Sequence, residues 1–167
     1  MTEGAAGPQP ADAAKVSELI RRIRAGMLTT LDHDGTLHAR PVQTLDVEGI
    51  EALWFFTDWA SAKVDELRAD TRVSVGYADP SSGAFVAVSG TARMLRDPQR
   101  AQRLWTPEQL AYYPDGPGDA RLALLRVEVE RAEYWIAPGR VAYLWAAAKA
   151  AATGAPAGVV GENKKLK

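Results

Sequence analysis

The sequence predicts a mainly β (α+β) domain, an antiparallel β-barrel of six to seven strands with helices at its periphery. Short β-prone runs bounded by turn residues recur along the chain, and helical patterns interrupt them without the regular strand–helix alternation of a parallel sheet. The chain has 167 residues, 47% of them hydrophobic and 25% charged, which suffices for one core. We expect a disordered lead over 1–11, the barrel domain over 12–153 and a C-terminal tail over 154–167.

Helical and β-prone patterns follow one another irregularly in the first part of the domain. Apolar residues recur on one helix face over 12–25, and Gly26 supplies a stop. Asp34-Gly35 is typical of a hairpin turn, and Pro41 indicates a strand edge, a bulge or a place where a ligand approaches the backbone. The predicted elements are a helix over 12–25, strands over 27–31, 37–45 and 52–57, a turn over 47–51 and a helix that ends near residue 69.

The second part of the domain has longer strands and short helices. Gly90 inside a long strand predicts a β-bulge. Asp97 and Pro98 are typical of a helix cap and first residue, and Thr106-Pro107 repeats that pattern. The predicted elements are strands over 72–78, 84–95, 122–130 and 134–136, helices over 97–104, from 107 to about 111 and over 141–153, and an irregular loop over 112–119. The basic end, 164–167, is expected to be solvated.

Composition and charge argue against several classes of function. The formal net charge of −1 does not supply the basic surface that non-specific nucleic-acid binding needs. The chain has no Cys, so disulfides, a thiolate nucleophile and Cys-ligated metals are excluded, and a cytoplasmic location is expected. We expect no membrane segment and no signal peptide, since no apolar run approaches roughly 18 residues. His33 and His38 alone are a weak indication of a metal, so no metal site is predicted.

A junction between a strand and a helix is the most informative stretch. The apolar run 52–56 leads directly into a helix, and Thr57, Ser61 and Lys63 lie at the junction. Two hydroxyls, one ammonium group and the free N–H groups of a helix start are donors suited to a phosphate group. The aromatic strand beside them makes a phosphorylated ring cofactor the first hypothesis. The alternative is that the polar residues only cap the helix and that Lys63 is a solvated surface charge.

Sequence blocks in a fixed order carry a resemblance to a known family. They are His38-Ala39-Arg40-Pro41-Val42, then Trp54-Phe55-Phe56-Thr57 with Ser61-Ala62-Lys63, then Val86 to Ala92, Leu104 to Pro107, Tyr113 to Gly116, Leu124 to Val127 and Ala132 to Trp135. This ordered set resembles the FMN-binding split-barrel proteins related to pyridoxamine 5′-phosphate oxidase, and within them the general stress protein 26 branch. The resemblance runs from about residue 16 to residue 154.

The resemblance implies a split barrel that works as a homodimer, with FMN in a groove between the subunits. It implies flavin redox chemistry, with a reduced nicotinamide or another small molecule as the electron donor. It implies that Arg40, Pro41 and Val42 lie on the strand along the flavin ring and ribityl chain, and that Phe56 and Thr57 lie at the strand end near the ring and phosphate. It also implies that Ser61 and Lys63 bind the phosphate and that Trp135 is the aromatic residue that approaches FMN from the second subunit.

The sequence departs from the oxidase pattern at two places. Ala62 stands where the oxidase has a basic residue, and the stretch 139–143 has no His where the oxidase reads its vitamin B6 substrate. Pyridoxamine 5′-phosphate oxidase activity is therefore not expected, and no catalytic side chain is named. Three alternatives remain open: a non-catalytic flavin carrier linked to stress, the same fold with a deazaflavin or haem, and a scaffold without cofactor.

Overall fold

Eight strands in the described part of the chain form one antiparallel sheet. The computed structural model describes residues 10–138, 147–152, 154 and 161–166. The strands are β1 (Ala25–Leu31), β2 (Leu37–Gln43), β3 (Asp46–Glu48), β4 (Ala52–Asp58), β5 (Arg72–Asp79), β6 (Ala84–Leu95), β7 (Leu122–Ile136) and β8 (Glu162–Leu166). Their order is β2-β1-β5-β6-β7-β4-β3, and β8 also pairs with β7. The predicted mainly β fold is confirmed, with one strand more than the upper number expected.

A short connection curls this sheet into a barrel. β2 and β3 lie at opposite ends of the sheet order, yet only Thr44 and Leu45 separate them along the chain. Three Cα–Cα steps cover at most about 11 Å, so the two edges of the sheet must come together. The Leu45 N–H donates to the carbonyl of Trp54 at 2.8 Å, which ties the connection to β4.

Three α-helices among the described residues pack on the barrel: α1 (Pro10–Ile23), α2 (Ala62–Ala69) and α3 (Pro98–Leu104). Short 3₁₀ helices span Pro107–Ala111 and Gly116–Gly118, and residues 147–152 are helical. α1 buries Val16, Leu19 and Ile20 in the main core, against strands that include β3 and β5 to β8. No helix in the described ranges is long and apolar enough to cross a bilayer.

A second, smaller core lies on the other face of β4. Both faces of this strand are covered, since its burial does not alternate along Ala52–Phe55. Ala101, Tyr113 and Leu122 are buried there, and Phe56 and Trp105 pack against them. α3 and the 3₁₀ segments therefore form an outer layer over β4. The Asp97 cap is confirmed, because its Oδ1 accepts the Arg100 N–H at 2.8 Å, with Pro98 as the first helical residue.

The bulge expected at Gly90 is confirmed and explains a correction in β7. Ser89 pairs with Arg131 and Gly90 pairs with Val129, so Glu130 is the extra residue and lies in β7. A bulge reverses which residues face the core. The predicted division into strands 122–130 and 134–136 is wrong, because β7 is continuous from Leu122 to Ile136.

Two other local predictions are right only in part, since residues 49–51 do form a turn and Lys164 and Lys165 are exposed, and a third is wrong. The turn over 47–51 begins as β3, because Val47 is buried and pairs with Leu53. The basic end is not simply solvated: β8 pairs with β7, and Leu166 is buried. Thr106 does not cap the following segment, which is a 3₁₀ helix, and its hydroxyl is buried without a partner in the described structure.

The end of α1 also differs from the prediction. The helix stops at Ile23 and not at Gly26, and Arg24 takes a left-handed conformation with φ 61°. Gly26 instead lies inside β1, where an added Cβ would stand 2.9 Å from the ring of Tyr77. This glycine therefore serves close packing between β1 and β5. The predicted lead over 1–11 is too long by two residues, because α1 begins at Pro10. The rest of that lead, most of the predicted helix 141–153 and the stretch 139–143 lie outside the described residues.

Candidate functional site

The polar junction predicted from the sequence is a compact cluster. β4 carries Thr57 to the start of α2, and the Lys63 side chain turns back toward the strand. Its Nζ donates to Thr57 Oγ1 at 2.8 Å and to Ser61 Oγ at 3.3 Å. Thr57 is only 3% exposed, so this end of the cluster is anchored in the fold. The three predicted phosphate-site residues are therefore brought together.

The first turn of α2 offers further donors. Ser61 is at the N-cap position but makes no side-chain cap, because its hydroxyl donates to the Asp58 carbonyl at 2.8 Å. The N–H groups of Ala62 and Lys63 have no acceptor among the described residues. Orphan N–H groups at a helix start, together with the macrodipole, favour an anion. The alternative that the Ser61 hydroxyl only caps the helix is therefore wrong.

A second part of the cluster centres on a buried carboxylate. Arg40 of β2 donates from Nη2 to Glu66 Oε2 at 2.7 Å and from Nη1 to Thr30 Oγ1 at 2.7 Å. His38 Nδ1 lies 3.0 Å from the other Glu66 oxygen, and Thr30 also hydrogen-bonds the carboxylate. Glu66 is 5% exposed. The carboxylate thus fixes the guanidinium beside β1 and α2.

The electrostatics join the two parts. Lys63 and Glu66 lie one turn apart on α2, and Glu66 holds Arg40 at 2.7 Å, so the two cations are neighbours. Burial lowers the pKa of Lys63, and the positive charge of Arg40 lowers it further. Burial by itself raises the pKa of Glu66, but the hydrogen bonds from Thr30, His38 and Arg40 outweigh it and hold the pKa at about 2. The site therefore contains two neighbouring cations and one carboxylate that is ionised at neutral pH.

The other predicted site residues lie apart from this cluster. Pro41 is exposed on the edge strand β2, and Val42 packs against the main core. The Phe56 ring lies on the opposite face of β4 from Thr57, with ring centroids 5.9 Å from Trp105 and 6.4 Å from Tyr113. Trp135 is twelve residues along β7 from the partner of Thr57, roughly 40 Å of strand. One protomer does not bring Trp135 to Lys63.

Sequence reasoning missed Glu66, Thr30 and the role of His38. Glu66 lies between Val64 and Leu67 on the buried face of α2, and a charged residue in that position of a short helix was the available signal. Thr30 gave no signal, because its partner is 36 positions away. His38 turns to Glu66, whereas His33 is exposed in the hairpin.

An exposed apolar row crosses the outer face of the sheet. Met27 pairs with Pro41 on one side and with Gly76 on the other, and Gly76 pairs with Ala87. Met27 is 46% exposed, and Phe85 in the neighbouring row is 39% exposed beside Trp135. We call Met27, Pro41, Gly76, Ala87, Phe85 and Trp135 the outer apolar face.

The closed antiparallel barrel is the fold of a split-barrel protein, and the Lys63 cluster lies at its junction of β4 and α2. The pyridoxamine 5′-phosphate oxidase like family matches residues 11–157. Protein bli-3 of Neurospora crassa is 30% identical over 159 residues, which cover 86% of this chain and 74% of the relative. The chain belongs to the pyridoxamine 5′-phosphate oxidase-like family, which confirms the resemblance seen in the sequence.

Solved structures agree on the fold. A putative general stress protein 26 from a Jannaschia species superposes with a TM-score of 0.75 at 21% identity, over 94% of this chain and 99% of that one. A general stress FMN/FAD binding protein from Xanthomonas citri is 31% identical with a TM-score of 0.62, over 74% and 87% of the two chains. The expected split-barrel fold is confirmed.

Proposed function

We propose that this protein binds FMN and acts as a flavin-dependent oxidoreductase, working as a homodimer in the cytoplasm. The observation that carries the proposal is the group formed by Lys63, Thr57 and Ser61 beside Arg40, at the first turn of α2. The family and a relative named as an FMN/FAD binding protein support a flavin as the ligand. The names of the relatives favour a role in the stress response.

The donor set fits a phosphate monoester. The terminal phosphate of FMN carries close to two negative charges near neutral pH. Lys63 is a partly buried ammonium group that donates to two hydroxyls. No carboxylate of the described residues forms an ion pair with it, so an arriving anion does not have to displace one. The orphan N–H groups of Ala62 and Lys63 add donors that carry no side-chain entropy.

Arg40 would offer the phosphate N–H donors that are already fixed in orientation. A guanidinium has five N–H donors, and the observed bonds to Thr30 and Glu66 leave donors for a ligand. Glu66 balances the charge of Arg40 and keeps its planar guanidinium oriented. The Arg40 side chain would therefore already be held at the site before phosphate binds.

The other proposed flavin contacts follow from placing the phosphate at the Lys63 cluster. Arg40, Pro41 and Val42 would line the flavin along β2, and the Phe56–Thr57 end of β4 would adjoin it. Trp135 would contact the flavin of the partner subunit, which agrees with its distance along β7 from the partner of Thr57. The outer apolar face would be buried between subunits.

Bound FMN would supply one- and two-electron chemistry, while the chain supplies binding, orientation and electrostatics. Reduced nicotinamide is the proposed electron donor, and turnover with it distinguishes an enzyme from a flavin carrier. The proposal does not include pyridoxamine 5′-phosphate oxidase activity, since Ala62 and the stretch 139–143 depart from the oxidase pattern.

The proposal is tested by titrating FMN and riboflavin into wild type and Lys63→Ala, with flavin fluorescence as the readout. A charged hydrogen bond to phosphate contributes roughly 1.5–3 kcal/mol, so the variant should bind FMN about 10- to 150-fold more weakly. Riboflavin has no phosphate and should bind both proteins about equally.

Lys15→Ala is the matched control, because Lys15 is a surface lysine that pairs with Glu18 on α1, away from the Lys63 cluster. It should bind FMN like wild type. Equal FMN dissociation constants for wild type and Lys63→Ala would show that Lys63 does not hold the phosphate. No FMN binding by wild type would remove the proposed function altogether.

A further inference from the structure

A polar cleft lies where α1 ends against the connection from β2 to β3. Its volume is about 280 Å³, and its lining residues are Arg21, Arg24, Thr44, Leu45, Asp46 and Val47. Thr44 is four residues beyond Arg40, about 13 Å along extended chain, so the cleft is separate from the Lys63 cluster. Nothing in the proposed flavin site uses these arginines.

Arg24 occupies a backbone position that ordinarily favours glycine. Its φ is 61°, and it is the one non-glycine residue with positive φ in the described chain. Its N–H donates to the Ile20 carbonyl at 2.8 Å, which closes α1, and its carbonyl accepts the Thr44 N–H at 2.8 Å. Glycine is the usual residue at such a helix end, because a Cβ is strained in this conformation. An arginine here needs a reason other than closing the helix.

The two arginines differ in how they are held. Arg21 Nη2 donates to the Val47 carbonyl at 2.7 Å, which fixes its guanidinium at the cleft. Arg24 is exposed, and its guanidinium has neither a hydrogen-bond acceptor nor a carboxylate partner among the described residues. Asp46, the acidic residue of the lining, already lies 3.5 Å from Arg100. The cleft therefore has an excess of positive charge.

Complementing the helix macrodipole is the simpler explanation for basic residues at this end of α1. It accounts for Arg21 and Arg22, which lie in the last turn. It does not account for a side chain at the left-handed position, where glycine would close the helix with less strain. Nor does it account for a cleft that collects both Arg21 and Arg24.

We propose that the Arg21–Arg24 cleft binds the oxyanion of a small molecule, a phosphate or a carboxylate. Two guanidinium groups suit such planar or tetrahedral oxygen groups, which they bind through paired N–H donors. The binding does not depend on a flavin. Its use, holding the anionic end of a substrate while the cofactor phosphate occupies the Lys63 cluster, rests on the proposed function.

The test measures binding of inorganic pyrophosphate and of succinate by isothermal titration calorimetry. All proteins carry Lys63→Ala, so that the proposed flavin phosphate site does not contribute. Arg24→Gly removes the guanidinium and relaxes the backbone, so it should weaken binding at least about tenfold while the midpoint of thermal unfolding stays equal or rises. Arg22→Ala is the matched control, since Arg22 faces Asp79 and Ser82 outside the cleft, and it should bind like the parent.

Binding of either probe that depends on Arg24 and not on Arg22 supports the site, and the tighter probe identifies phosphate or carboxylate as its ligand. The inference is overturned if neither probe binds at millimolar concentration, or if Arg24→Gly binds like the parent. It is also overturned if Arg22→Ala weakens binding equally, or if Arg24→Gly lowers the unfolding midpoint. FMN binding by wild type is measured separately, so failure of the cleft and failure of the flavin proposal are distinguishable.

Discussion

Glu66 is the residue that connects the elements around the cation cluster. Its carboxylate, almost fully buried, accepts hydrogen bonds from Thr30 on β1 and from Arg40 on β2. Removing one partner from a buried charged network leaves the others desolvated and unsatisfied, which costs more than the bond itself contributes. Residues that hold a site together can therefore matter as much as those that touch its ligand.

Glu66→Gln should destabilise the protein by roughly 1.5–3 kcal/mol at neutral pH, measured by urea unfolding. The amide keeps one acceptor oxygen but loses the charge that faces Arg40 and His38. Asp65→Asn is the matched control, since its exposed carboxylate pairs with Arg68 on the same helix and should change stability by less than about 0.5 kcal/mol.

The pH dependence of this difference has a definite sign. The folded-state pKa of Glu66 is lowered to about 2 from an ordinary value near 4.5, so the carboxylate stabilises the fold above the ordinary value. The gap between wild type and Glu66→Gln should persist at pH 6–7 and shrink as pH falls from about 4.5 toward 2. A gap that is unchanged at pH 3, or absent at pH 7, would contradict the assigned network.

Site residues that lie close together in the sequence could be predicted, whereas those that meet only through tertiary pairing could not. Thr57, Ser61 and Lys63 were predictable because they lie within seven residues at a recognisable strand–helix junction. Arg40 was found only through the family resemblance, and its partner Glu66 was not found at all, since 26 positions separate them. Contacts that a barrel creates between distant strands leave no local period in the sequence.

At the scale of elements, the bulge between β6 and β7 shows why one strand looked like two. Leu125 and Val127 are buried before Glu130, whereas Ala132 and Tyr134 are buried after it. The alternation therefore changes from odd to even positions, and an alternating pattern with such a break predicts two strands. Only the pairing with β6 shows that the chain does not turn there. Likewise, β8 lacks an apolar alternation of its own and forms because β7 offers it an edge.

Gly90→Ala should destabilise the barrel by roughly 1–3 kcal/mol or more in urea unfolding. The new Cβ would stand 1.8 Å from the carbonyl oxygen of Glu128, and backbone on both strands would have to move. Gly118→Ala is the matched control, because its Cβ would meet nothing within 4 Å. If Gly90→Ala were as stable as that control, the close approach of β6 to β7 at the bulge would be wrong.

At the scale of the whole molecule, closure of the barrel separates an inner surface from an outer one. The inner surface is filled by the main core and α1, including Leu28, Phe55 and Tyr134. Within the part of the chain that the structure describes, no element covers the outer surface of β1, β5 and β6, and Met27 and Phe85 are partly exposed. Small residues at Gly76 and Ala87 keep this surface flat, which suits a broad contact with a second copy. The barrel was predictable from the spacing of strands, whereas this surface needed the register between them.

The outer apolar face indicates that the protein is a homodimer, and this is a testable prediction. Light scattering at micromolar concentration should give about twice the chain mass of 18.0 kDa. Phe85→Glu should shift the mass toward that of a single chain, because a buried unpaired carboxylate costs several kcal/mol. Leu110→Glu is the matched control: Leu110 is 50% exposed, but it lies on the 3₁₀ helix over β4 and not on this face, so that variant should stay dimeric.

The dimer prediction also bears on the proposed flavin site. Trp135 neighbours Phe85 on the outer apolar face and is remote along β7 from Lys63, so it reaches a flavin only if a second subunit presents it. Phe85→Glu should therefore weaken FMN binding together with association, although Phe85 lies outside the phosphate cluster. A monomeric wild type that binds FMN tightly, or a Phe85→Glu variant that remains dimeric, would show that this face is not the interface and that each barrel holds its ligand alone.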